Sequence, residues 1–125
     1  MDRAKPQLLD LLRERDAQRA VIAYDGGHDE GWITELFFSS DPGEREPDPA
    51  TSTVIDPDTA YENFESPDGR LLAAAEAVVA DKWGSFAGEF EVKGRLLVEV
   101  ASGHIVRRDS VSYEDGPFEP QEEEL

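Results

Sequence analysis

AVIAYDGGHDEGWITELFF, residues 20–38, is the stretch whose reading decides the fold. Its ends, residues 20–24 and 32–38, are rich in β-branched and aromatic side chains, the composition of strands. Between them, Asp25, Gly26, Gly27 and Gly31 are residue types that tolerate the positive φ values of a tight connection. The segment therefore reads as a β-hairpin, and a chain with a hairpin near its start calls for an antiparallel sheet and helices to cover it.

Working outward, residues 6–18 read as a helix. Pro6 suits a first turn, where its missing N–H has no partner to lose, Leu8, Leu9, Leu11 and Leu12 make an apolar stripe, and Arg13 and Arg15 suit the negative end of the helix dipole. Residues 39–66 hold four prolines, eight acids and one arginine with no sustained period, and read as one long acidic loop that Tyr61 and Phe64 anchor at its end. Ser66 and Pro67 then mark the N-cap and first turn of a second helix ending near Lys82, with Leu71, Leu72, Ala75, Val78 and Val79 on one side. Phe90 and Val92, then Leu96, Val98 and Val100, alternate with polar residues, and Lys93-Gly94 and Ser102-Gly103 read as turns, giving three antiparallel strands of which the last runs over residues 104–113. Trp32 and Trp83 read as packing residues. Residues 114–125 contain no base and end in three glutamates before the final leucine, the composition of a solvated tail. The expected architecture is α+β: two helices on one face of a mainly antiparallel sheet of about five strands, in the order α-β-β-loop-α-β-β-β, as a single domain over residues 1–113.

The aromatic-Asp-Gly-x-x-Asp-x-Gly pattern carried by Tyr24, Asp25, Gly26, Asp29 and Gly31, followed by Trp83-Gly84 and then Gly88-Glu89-Phe90 at the start of a strand, resembles an uncharacterised family of small bacterial proteins, a domain of unknown function. The resemblance implies a shared α+β fold and transfers no activity and no site residue.

Charge bounds the function. The 125 residues carry 29 acids against 12 bases, a net charge of −17, and the bases include only three lysines. Affinity for phosphate backbones and anionic membranes comes from lysine and arginine, so neither nucleic acid nor a membrane surface is an expected direct ligand. With no cysteine, disulfides, thiolate metal sites and a cysteine nucleophile are excluded. No run approaches a membrane span and the N-terminus has charges inside its apolar pattern, so the expected location is the cytoplasm. No nucleophile elbow accompanies the serines and histidines, and no glycine precedes a Lys-Ser or Lys-Thr, which removes the sequence basis for a hydrolase triad or a phosphate loop. His104 falls at a turn-to-strand edge and reads as a surface donor.

Three functional readings remain. The first is a non-enzymatic binding module, an inhibitor or polyanion mimic, whose acidic face covers a basic, nucleic-acid-binding surface of a partner protein. Its contact residues would be Asp41, Glu44, Glu46, Asp48, Asp56 and Asp58 in the loop and Glu119, Glu122, Glu123 and Glu124 in the tail. No cofactor is expected for it. The second is a divalent-cation site made by Asp25, His28, Asp29 and Glu30, with Glu35 reaching in from the next strand; against it, the spacing lacks the twelfth-position glutamate of a calcium loop, and His28 and His104 are the only nitrogen donors for zinc. The third is an accessory domain of a salt-adapted or acidic proteome, whose charge names no partner.

Overall fold

The computed structural model describes residues 4–27, 30–41, 47–83, 90–113 and 116–125. It is an α+β protein with three helices and a six-stranded antiparallel sheet. In chain order the elements are α1 (Ala4–Glu14), β1 (Arg19–Gly27), β2 (Glu30–Ser39), a 3-10 turn (Pro49–Thr51), β3 (Thr53–Ile55), α2 (Pro57–Glu62), α3 (Pro67–Trp83), β4 (Phe90–Glu99), β5 (His104–Tyr113) and β6 (Glu119–Glu124). The sheet runs β3-β2-β1-β4-β5-β6. After the β1–β2–β3 run the chain crosses through α2 and α3 and returns to the open side of β1, so the two halves of the sheet meet along the β1–β4 ladder.

One apolar core joins the helices to one face of the sheet. Leu8, Leu9 and Leu12 of α1 and Leu71, Leu72, Ala75, Val78 and Val79 of α3 are buried against Ala20, Ile22, Leu36, Phe38, Val92, Leu96, Val98 and Ile105. Strand β2 would not manage this by strict alternation, because Ile33 and Leu36 are three residues apart. A bulge solves it: Ala23 pairs with Glu35 while Tyr24 pairs with Ile33, which leaves Thr34 as the extra residue and turns both Ile33 and Leu36 inward. Helix α3 begins as its sequence requires, with Pro67 in the first turn and the Ser66 hydroxyl oxygen accepting from the Gly69 N–H at 3.0 Å.

Four expectations from the sequence need correction. Residues 39–66 are not one structureless loop, since β3 and α2 lie within them. The tail supplies a sixth strand, β6, paired with β5 from Val106–Glu124 to Val111–Glu119. Lys93-Gly94 is not a turn, for β4 runs through it without a break. Asp25 and Gly26 lie in the β1–β2 ladder, whose last pair is Gly27–Glu30, rather than in a turn. Among the described residues no helix is long and apolar enough to cross a membrane.

Candidate functional site

Asp25 and Glu35 are the hairpin acids whose side chains the structure describes. Asp25 sits in β1 opposite Trp32 on one side and Lys93 on the other. Glu35 lies opposite Ala23, beyond the bulge, and is exposed. His28 and Asp29 fall outside the described residues, and Glu30 is described through its backbone as the first residue of β2. Among the described residues no group of three or more His, Cys, Asp or Glu side chains could hold a metal ion. Gly27 combines a φ of 143° with a close approach: a Cβ there would stand 2.2 Å from the Phe90 carbonyl oxygen. Trp32, expected to pack, is 47% exposed.

A buried polar chain runs across the sheet on the helix side. Tyr24, Gly94 and Asp109 are cross-strand neighbours on β1, β4 and β5. The Tyr24 hydroxyl crosses above Gly94 and donates to Asp109 Oδ2 at 2.6 Å. Asp109 Oδ1 accepts from Arg107 Nη1 at 2.6 Å, and Arg107 Nη2 donates to Glu123 Oε2 of β6 at 3.0 Å. Gly94 is required by this path, because a Cβ would meet Asp109 Cβ at 2.3 Å and the Tyr24 hydroxyl at 2.8 Å. Burial works against the charge on Arg107, but its hydrogen bonds to Asp109 and Glu123 and the attraction of Asp109 outweigh that and hold the guanidinium above its ordinary value. Every member has a partner in the chain, and the arrangement ties three strands of the sheet together.

Among the described residues, no helix covers the other face of the sheet. An apolar row crosses it in register, Val54–Phe37–Val21–Leu97–Val106, with Val21 and Phe37 buried although they lie outside the main core. Next to the row a groove of about 550 Å³ carries Lys93, Arg95 and Arg108. These bases stand beside acids: Lys93 pairs in register with Asp25, and Arg108 Nε donates to Glu122 Oε2 at 3.1 Å. At the β2–β3 end, sharing Thr34 with the groove, is a hollow of about 420 Å³ lined by Phe37, Pro49, Val54 and Pro57, with Glu35 and Asp56 the acids in its wall.

The acids expected to form one binding face divide between the two edges of the sheet. Asp48, Asp56 and Asp58 lie at the β3 edge, and Glu119, Glu122, Glu123 and Glu124 on β6 at the other. Five inter-strand spacings separate those edges, on the order of 24 Å. Glu44 and Glu46 fall outside the described residues. Asp41 is exposed just past β2, its carbonyl oxygen accepting from Arg19 Nε at 2.9 Å. The β6 acids face bases of β5: Glu122 meets Arg108, Glu123 meets Arg107, and Glu124 stands 3.1 Å from His104 Nδ1. Asp48 and Asp56 cap the 3-10 turn and α2, accepting from the N–H groups of Ala50 (2.9 Å) and Asp58 (3.1 Å).

The sequence reading missed the apolar part of this surface. Val54 is 61% exposed on β3, and Phe64, expected with Tyr61 to anchor the loop, is instead 49% exposed beside α2, both among acids. Tyr61 holds this corner in place: its hydroxyl accepts from the Ile33 N–H at the bulge (2.8 Å) and donates to Glu76 of α3, and its ring meets Phe64 edge-on at 5.9 Å. The signal was available as Asp-Pro at 48–49 and 56–57, each a cap followed by a first-turn proline. No family model, curated protein or solved structure matches the chain.

Proposed function

We propose that this protein is a non-enzymatic binding module whose acidic β3–α2 edge docks on a basic surface of a partner protein, in the manner of an inhibitor that occupies a nucleic-acid-binding channel. One observation carries the reading: residues 47–69 contain Asp48, Asp56, Asp58, Glu62, Glu65 and Asp68 and no lysine, arginine or histidine, and they span the 3-10 turn, β3, α2 and the first turn of α3, beside the β3 edge of the sheet. Asp68 is paired, 2.7 Å from Arg15. Arg45 and Arg70 bracket this run in sequence; the cations of α1, β1, β4 and β5 lie elsewhere, several beside acids. A single-sign patch steers an oppositely charged partner into encounter, and exposed apolar residues within it supply contact area once docked.

The experiment is capture of partners by the immobilised chain from host lysate, at low and at physiological salt, with a triple variant Asp58→Asn, Glu62→Gln, Glu65→Gln alongside. The reading requires a basic partner whose retention falls as salt rises and falls again in the variant, and which nucleic acid displaces. A partner held equally by both chains at high salt would refute it.

A further inference from the structure

We infer that the hollow between Phe37, Pro49, Val54 and Pro57 is an anchor pocket for one large apolar side chain in a lysine- or arginine-rich, extended segment of the partner. The inference deepens the proposed function and rests on it. The hollow measures about 420 Å³, room for a leucine or an aromatic ring, and its walls are apolar except where Thr34, Glu35 and Asp56 line it. Two of the lining residues, Pro49 and Pro57, are prolines, whose φ is fixed. Val54 exposes 61% of its surface there, whereas its neighbour Ile55, on the inner face, is 3% exposed.

Charge names the occupant. Both ionisable groups in the wall are carboxylates, and no base lines it, so an anion is repelled and a cation flanking the apolar side chain is attracted. A second copy of this chain is a poor match, since it brings a net charge of −17 to the same rim. The shape of the segment follows from position: the hollow lies beside β3, the three-residue strand at the end of the sheet, where an extended chain can lie alongside and present alternate side chains to one face.

The test is titration of the isotope-labelled full chain with a peptide alternating lysine and leucine, followed by amide NMR, against a control peptide with serine in place of leucine. The leucine peptide should shift amides of residues 34–37 and 49–57 and bind at least about tenfold tighter than the control, the factor expected for burying one such side chain. Val54→Ser, at an exposed position on a short edge strand, should remove most of that difference, and Glu35→Gln should weaken both peptides at low salt. Equal, salt-sensitive binding of both peptides would leave the acidic edge standing and overturn the pocket. Binding of neither would overturn both. Shifts of the same amides on concentrating the protein alone would assign the hollow to self-association and overturn the inference.

Discussion

Replacing Tyr24 with Phe tests the buried polar chain with the least disturbance to packing. Tyr24 is 1% exposed, and the side chain of Asp109 is fully buried, so neither group has water to turn to when the contact is lost. The hydroxyl donates to a carboxylate oxygen at 2.6 Å, a short, charge-assisted bond of the stronger kind. Phenylalanine keeps the ring and leaves no cavity of consequence, so the loss is the bond itself together with the desolvation of the oxygen that accepted it. Hydrogen bonds to charged groups contribute about 1.5–3 kcal/mol, and the complete burial here points to the upper half of that range. For a domain of this size such a loss lowers Tm by roughly 8–15 °C. Urea unfolding followed by far-UV circular dichroism measures it, with an unchanged m-value showing that the folded and unfolded states have kept their extent. A cycle with Asp109→Ala then isolates the pair, and its coupling should account for most of the single-variant effect. A Tyr24→Phe cost below about 0.5 kcal/mol, or a coupling near zero, would show that the hydroxyl contributes nothing to holding β1 to β5 across Gly94.

Gly94→Ala should cost at least about 2 kcal/mol by the same assay, because the new methyl lands on Asp109 Cβ, an atom fixed to the backbone that cannot swing aside. Arg107 has two carboxylate partners of unequal burial, Asp109 at 0% and Glu123 at 49% side-chain exposure. Asp109→Ala should therefore cost about 3–5 kcal/mol, as when a buried ion pair loses one member, and Glu123→Gln about 1 kcal/mol or less; equal costs would contradict the assigned burial. Burial, with the hydrogen bond to Glu76, raises the Tyr61 phenol above its ordinary 10.0. A raised value in the folded state means that its contribution to stability is complete below the unfolded value, roughly pH 10, and is lost as pH climbs toward the folded one. Absorbance titration at alkaline pH should show a late-ionising amplitude that decreases by one tyrosine in Tyr61→Phe, and stability of the parent chain should fall at high pH more steeply than in the variant.

Where one residue pattern mapped to one element, the sequence was readable. The stripe Leu71, Leu72, Ala75, Val78 and Val79 is the buried side of α3, and the hairpin that opened the reading is the β1–β2 pair. The misreadings share a cause, which is that turn-forming residues also serve other ends. Gly94 sits in mid-strand because Tyr24 must pass over it, a relation between residues 70 positions apart that no local grammar contains. The prolines of residues 47–57 signalled loop, yet two of them stand in first turns behind capping aspartates. The glutamates of the tail signalled solvation, and they form a strand beside β5, which places Arg107 and Arg108 directly opposite Glu123 and Glu122 and His104 within 3.1 Å of Glu124. Nothing in the local pattern around Val54 distinguished an exposed edge from a linker, so the apolar hollow was not foreseen.

The two acidic edges of the sheet differ in where their charge is directed. On β6, Glu122, Glu123 and Glu124 face bases of the neighbouring strand, so much of their field is spent within the molecule. At the β3 edge the sequence supplies no base from residue 47 to residue 69, and the potential there is directed outward. Exposed charges are screened over about 8 Å at physiological ionic strength, roughly a third of the distance between the edges. A partner approaching β3 therefore senses the local acids and little of the far strand. On the proposed reading, the net charge of the whole chain favours no particular partner, and selectivity would come from the few charges and the apolar hollow that share the β3 edge.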